Sequence, residues 1–365
     1  MRSRPDNKRI LVYEPYWGGS HKHFLQDLEN VLPFDFDFVT LPAHKWKWRM
    51  RLSAPWFAER FKDEQNLAGR YACLLCSTFV DVSALKGLCA GIIGDLPIVT
   101  YFHENQFAYP VQVDMERDFH FALTNVTTAL CSDRLAFNSQ YNLESFLAGC
   151  RELLKKSHDM NIGDTEKDIR AKSQILYPGI HFDQIDATTG ENRPGQPPVV
   201  IWNHRWEHDK NPEEFFQSLY HLDDAGVPFS LVVLGESFRR SPAVFEEART
   251  RLSKRIMQFG HVKSRREYYR WLRRGDLVVS TSKHEFYGIA VIEAVRAGCR
   301  PLLPARLSYP ELFAREYLYE AGQLEAGLKK CLKKGALTAR EAESLTEPFS
   351  WRNLSEEYRQ LLAFR

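Results

Sequence analysis

No apolar run in this chain approaches the roughly 20 residues needed to span a bilayer. The first apolar stretch after the charged N-terminal residues is Ile10-Leu-Val-Tyr13, too short for the core of a signal peptide, so the sequence predicts a cytoplasmic protein. Charge of one sign is also missing. A formal net charge of +2 over 365 residues removes any global electrostatic drive toward nucleic acid and leaves that work to local patches. A disulfide framework is excluded in the same way. The seven cysteines are an odd number in mostly apolar surroundings, such as Leu88-Cys-Ala90 and Ala129-Leu-Cys131, and read as reduced core residues. Cys73-Leu-Leu-Cys76 has C-x-x-C spacing, but it sits inside a hydrophobic strand with no second pair, so no metal or redox use is expected of it. No sequence repeat is visible, and no long basic amphipathic helix suited to a membrane surface.

What is present is a soluble globular composition, 44% hydrophobic and 26% charged, at a length sufficient for two domains. Strands are expected at Ile10–Tyr13, Phe36–Leu41, Cys73–Cys76, Ile98–Phe102, Arg134–Asn138 and Ile175–Tyr177. Amphipathic helices between them include Phe24–Val31, Phe119–Leu130 and Asn142–Leu154. This alternation predicts an α/β fold with a parallel sheet covered on both faces. Residues 183–198 are polar and rich in chain breakers, a linker by composition. The alternation then restarts at Val199–Trp202, Phe229–Leu234, Met257–Phe259, Leu277–Ser280 and Arg300–Leu303. Asn211-Pro212-Glu213 reads as an N-cap with proline at the first helical position. Ser264-Arg-Arg-Glu267 and Ser308-Tyr-Pro-Glu311 read as capping boxes. The expected organisation is a domain over 1–182, the linker, and a second domain over 199–349. A last helix within 350–365 would pack back on the first domain. Two doubly wound domains facing across a cleft would place ligands at the carboxyl ends of both sheets.

Several loops leave those strand ends. Ser280-Thr-Ser-Lys-His-Glu-Phe-Tyr-Gly288 runs from a strand into a helix carrying Glu293. First-turn amides at Gly288 and Ile289 would seat an anion, and the carboxylates Glu285 and Glu293 suit hydroxyl groups, which points to a nucleotide sugar. The alternative is a packed helix whose two glutamates face solvent. Arg205 and Lys210 put two cations between a strand and a helix start, suited to a diphosphate, or else simply paired with Glu207 and Asp209. Gly18 and Gly19 follow the first strand, where an ordinary tight turn would also explain them. His103 and Glu104 follow another strand, with catalytic and structural readings both open. Asp35-Phe-Asp37 has D-x-D spacing but lies at the front of a strand, away from the ligand edge, and no metal is expected there. His204 and His208, four residues apart but off any helix, are not on one face. Lys45-Trp-Lys-Trp-Arg49 with Arg51 interleaves cations and indoles, fitting unstacked RNA bases and phosphates or an amphipathic helix lying over a core.

The spacing Glu285–x7–Glu293 with Arg205 and Lys210 upstream resembles family 4 glycosyltransferases of the GT-B fold. The phrases Tyr16-Trp-Gly-Gly-Ser-His-Lys22, Lys45-Trp-Lys-Trp-Arg49, Tyr101-Phe-His-Glu-Asn-Gln106, Phe137-Asn-Ser139, His204-Arg-Trp-Glu-His-Asp-Lys210, Leu234-Gly-Glu236 and Ser282-Lys-His-Glu-Phe-Tyr-Gly288 more closely resemble the tRNA-queuosine alpha-mannosyltransferases. The resemblance implies retaining, metal-independent transfer of mannose from GDP-mannose to the cyclopentenediol of queuosine at the wobble position of tRNA, the aspartate one. It implies Glu293 on the donor ribose and Glu285 on the transferred sugar. Arg205, Lys210, Gly288 and Ile289 would hold the diphosphate, with Gly18 and Gly19 closing over it. His103 and Glu104 would face sugar and acceptor, and Asn138 and Ser139 would line the cleft floor. The basic stretch Lys45, Trp46, Lys47, Trp48, Arg49 and Arg51 would contact RNA. No cofactor is expected beyond the donor substrate. Two rivals remain at this level: a family 4 enzyme with a lipid or small-molecule acceptor, and a non-catalytic RNA-binding module.

Overall fold

The structure is a computed structural model that describes residues 9–64, 66–109, 119–157, 159, 162–190, 195–236 and 242–364. It divides into two compact units. One runs to Gly179 and takes in the chain from Trp351 onward; the other is Ile180–Ser350.

The first unit holds a six-stranded sheet of β1 (Arg9–Trp17), β2 (Asp35–Pro42), β3 (Cys73–Ser77), β4 (Ile98–Phe102), β5 (Arg134–Phe137) and β6 (Ser173–Ile175), ordered β2-β1-β3-β4-β5-β6. Every pairing is parallel. The fully apolar runs lie inside because a parallel sheet is buried on both faces. The two-residue alternation of a strand divides β1 between two cores. Ile10 and Val12 pack with Phe24, Leu28, Trp351 and Tyr358, whereas Leu11 and Tyr13 pack with Ala54, Phe57 and Val82. The C-terminal helix Trp351–Leu362 therefore covers one face of this sheet. It is fixed by Trp351 Nε1 donating to Asp27 at 3.2 Å and by the Tyr358 hydroxyl donating to the Tyr177 carbonyl at 2.9 Å.

The second unit holds β7 (Val199–Asn203), β8 (Ser230–Leu234), β9 (Ile256–Gly260), β10 (Leu277–Val279), β11 (Arg300–Pro304) and β12 (Leu318–Tyr319), ordered β12-β11-β10-β7-β8-β9 and again parallel throughout. Both sheets are doubly wound, as expected. The strand order reverses between β1 and β3 in the first sheet and between β7 and β10 in the second, and ligands of open α/β sheets bind at such reversals. The loops singled out at Gly18, Arg205–Lys210 and Glu285–Gly288 all leave strands that flank these two points.

Local expectations differ from the structure in three places. Residues 183–198 are not all linker: Asp183–Asp186 form a helical turn, and Asp186 ion-pairs with Arg296 at 2.6 Å. Residues 191–194 lie outside the described residues. Asn211 has a left-handed backbone (φ 51°) and no capping bond, and its amide donates to Glu214 instead. Ser308 likewise makes no cap, because its hydroxyl donates to the Tyr287 carbonyl at 2.9 Å. Ser264 does cap its helix, accepting from the Glu267 amide at 3.2 Å.

Candidate active site

In the second unit, the loops after β7 and β10 meet around one buried cation. Lys210, with its side chain only 8% exposed, donates to the His284 carbonyl at 2.8 Å and to Glu285 Oε2 at 3.2 Å, and stands 3.2 Å from Asp209 Oδ2. An ammonium is seldom buried without paired charge, and here two carboxylates supply it. Burial alone would lower the Lys210 pKa, yet Glu285 and Asp209 outweigh it and the net shift is upward. Burial would raise the Glu285 carboxyl; Lys210 and His204 reverse this and hold it low. Asp209 is held low in the same way, against burial, by His284 and Lys210. The β7 loop is fixed by Thr281, whose hydroxyl donates to the Lys210 and Asn211 carbonyls at 2.8 and 2.9 Å. Gly235 seals the base of this loop. A Cβ there would lie 1.9 Å from the His204 carbonyl oxygen, so only glycine allows the approach.

Glu293 belongs to a second network, on the helix Ile289–Arg296 that follows the Glu285 loop. It accepts from Arg265 at 3.0 Å and from the Tyr268 and Tyr269 hydroxyls at 3.2 and 3.3 Å. Asn203 ties Tyr268 to the strand end by donating to its hydroxyl at 3.0 Å. Burial raises the Glu293 carboxyl despite these donors. Neither glutamate faces solvent as a packed surface helix would require. The helix opens at Gly288 (φ 110°) without a side-chain cap. Arg205 is different: its side chain is 58% exposed and pairs with Glu207 at 3.1 Å, so the simple-pairing alternative describes its resting position.

In the first unit, His103 and Glu104 do come together with other polar groups. His21, on the helix Gly19–Val31, lies 3.1 Å from Glu14 Oε2 through Nδ1 and 3.5 Å from Glu104 Oε2 through Nε2. Its ring lies against His103 with centroids 4.0 Å apart. Glu14 and His21 escaped the sequence reading. The available signal was a carboxylate directly continuing the apolar run Ile10–Tyr13. Gly18 is where the chain crosses Ala43, whose Cβ would be 2.5 Å from a Cβ added at Gly18, and Gly19 follows with φ 53°.

Asn138 and Ser139 follow β5 as buried residues whose polar atoms are engaged within the first unit. Asn138 donates to the His103 carbonyl at 2.7 Å, and Ser139, fully buried, accepts from the Asn142 amide at 3.0 Å to cap the helix Gln140–Leu154. The Asn138 side chain thus holds the His103 backbone, and Ser139 holds its own helix start.

The basic stretch opens the helix Trp46–Arg60, with Lys45 just before it. Met50, Ser53, Ala54 and Phe57 form its buried stripe, so the amphipathic reading is correct. Trp46 is half-buried against Phe121 at 5.3 Å, and Arg49 donates to the Pro42 carbonyl at 3.1 Å. Arg51 lies over the Phe121 ring. The outer face nevertheless carries Lys47, Arg51, Leu52 and Trp56, together with Trp48 at 59% exposed. Of the two D-x-D carboxylates, Asp37 is engaged by Arg9 and by the Tyr71 hydroxyl at 2.7 Å. His204 is buried near the Val279 carbonyl, while His208 is exposed. Among the described residues, no group of three or more His, Cys, Asp or Glu is arranged to hold a metal ion, and no helix is long and apolar enough to cross a membrane.

Comparison with known proteins adds the following. Residues 9–180 match a family described as tRNA-queuosine alpha-mannosyltransferase N-terminal, and residues 184–343 match glycosyl transferases group 1. A tRNA-queuosine alpha-mannosyltransferase from Drosophila melanogaster is 36% identical over 318 residues, covering 85% of this chain and 83% of that protein. Among solved structures, a sucrose-phosphate synthase from Thermosynechococcus elongatus matches with a TM-score of 0.71 at 14% identity, over 97% of this chain and 98% of that one. A lipopolysaccharide outer core galactosyltransferase matches at 0.68 and 10% identity, over 97% and 99%. These distant structures speak for the fold alone, two doubly wound units of the GT-B type.

Proposed function

Since the chain belongs to the tRNA-queuosine alpha-mannosyltransferase family, we propose that it transfers mannose from GDP-mannose to the cyclopentenediol of queuosine at the wobble position of tRNA, with the aspartate tRNA as acceptor. The observation that carries the reading is the buried Lys210–Glu285 pair, where the loops of the two strands flanking the strand-order reversal of the second sheet meet. A cation held rigid beside a carboxylate suits a donor that presents a diphosphate and a polyol together.

In this reading Lys210, with Arg205 turning in from Glu207, neutralises the charge that builds on the leaving diphosphate. The amides of Gly288 and Ile289 add fixed dipoles at the helix start. Glu285, kept ionised by Lys210, accepts from hydroxyls of the transferred sugar, and Glu293 accepts from the donor ribose by exchanging one of its present donors. Gly18 and Gly19 leave bare backbone at the end of β1, suited to a phosphate. His103, neutral, and Glu104 face the sugar and acceptor, while Lys47, Trp48 and Arg51 contact the RNA. The reaction so drawn uses protein cations in place of a metal, and a same-face attack preserves the α configuration. The proposed compartment is the cytoplasm.

The test is incubation with GDP-mannose and queuosine-containing tRNA, followed by digestion to nucleosides. A queuosine heavier by one hexose is expected; unchanged queuosine would remove the reading.

A further inference from the structure

Glu14 is the best-buried carboxylate of the first unit's site, with its side chain 1% exposed. It sits at the carboxyl half of β1 and is oriented by the Tyr16 amide, which donates to Oε1 at 2.8 Å. Its other oxygen meets His21 Nδ1, and His21 Nε2 faces Glu104. A neutral imidazole carries one N–H; two carboxylates, which only accept, call for both ring nitrogens to be protonated. The bracketed ring is therefore an imidazolium. Against it lies His103, closed in by Tyr101 at 4.6 Å and by the edge of Phe24 at 5.0 Å. Phe79 and Tyr16 pack at the edges of the His21 ring. The titratable groups facing His21 are thus Glu14, Glu104, His103 and Tyr16.

We propose that His21 is a positioning residue: clamped by Glu14, it fixes the Glu104 carboxylate and the ring of His103 in the orientation that sugar and acceptor meet. The proposal rests on the transfer reaction set out above. Two consequences follow from the charge on His21. Glu104 has one oxygen tied to a buried cation and presents the other. His103 is kept neutral, since burial first and the adjacent His21 second drive its pKa well below the ordinary histidine value. For His21, burial opposes the charge, but Glu14 and Glu104 override it and push the pKa up to about 10.

The test uses the full chain and its His21→Phe, His21→Gln and Glu14→Gln variants. Steady-state transfer is measured alongside nitrogen-15 spectra of labelled histidines at pH 8. His21→Phe is expected to lower kcat about 100-fold, the scale of an ångström-sized misplacement, with KM for GDP-mannose within about twofold of wild type. His21→Gln, which keeps one N–H donor, recovers part of that loss. The wild-type spectrum should hold one doubly protonated ring that is absent in His21→Gln and becomes neutral in Glu14→Gln. Wild-type kcat in His21→Phe overturns the proposal, as does a wild-type spectrum with no doubly protonated ring at pH 8. If His21→Phe does not fold, wild-type kcat and pH profile in His21→Gln overturn it equally. A wild-type chain that transfers no mannose would sink the reaction assigned above, and the clamp would then stand or fall on the imidazolium signal.

Discussion

Replacing Lys210 by methionine keeps most of the side-chain volume and removes the one cation between Asp209 and Glu285, which both lie 3.2 Å from it. Two largely buried carboxylates are then left without their main counter-charge. Breaking a buried pair in this way costs about 3–5 kcal/mol, and in a unit of this size each kcal/mol moves the melting temperature by about 2–4 °C. A drop of roughly 6–20 °C at pH 7.5 follows. The pH dependence fixes the cause. With Lys210 present, both carboxyls have folded pKa values below their unfolded ones. Their stabilisation is present above about pH 4 and is lost as pH falls through the folded values. Without Lys210, burial dominates Glu285 and its folded pKa rises above the unfolded one. The variant is then penalised at neutral pH and relieved on acidification, so its gap to wild type closes between pH 7.5 and 5. Thermal melts across that range read the gap directly. A gap under about 1 °C at pH 7.5, or one that widens toward pH 5, would refute the buried-pair account. Transfer by the variant should fall by about 10²–10³.

Two further outcomes concern the first unit. Lys47→Ala with Arg51→Ala should flatten the salt dependence of tRNA binding by about 1.4 units of log–log slope for two single-strand phosphate contacts, whereas Trp48→Ala should weaken binding and leave the slope unchanged; filter binding at several salt concentrations separates the two. Tyr358→Phe removes the hydroxyl that donates to the Leu176 and Tyr177 carbonyls at 3.2 and 2.9 Å, and should destabilise the first unit by about 1–3 kcal/mol in denaturant melts, with GDP affinity unaltered.

The alternation of both sheets was legible because their central strands are continuous apolar runs, buried on two faces. β12 was not, since Leu318–Tyr319 is too short to leave a pattern. Strand order was not legible either, and it is the order that puts the β7 and β10 loops on adjacent strands. The Lys210–Glu285 pair lies 75 residues apart in sequence, yet the residue types and their strand-end positions pointed to both. Glu104 was marked by its place after a strand, but Glu14 and His21 were not picked out, because each is ordinary alone and only the fold brings one imidazole between two carboxylates. Asn211 and Ser308 misled for the opposite reason. Their sequences fit caps, but Glu214 and the Tyr287 carbonyl compete for their side chains. The half-burial of Trp46 against Phe121 likewise depends on a helix far along the chain.

The most direct test of the central claim is transfer of radiolabel from GDP-mannose to two preparations of the same tRNA, one containing queuosine and one lacking it. Label entering only the queuosine-containing tRNA is the predicted result. Label entering both equally, or neither, would contradict it.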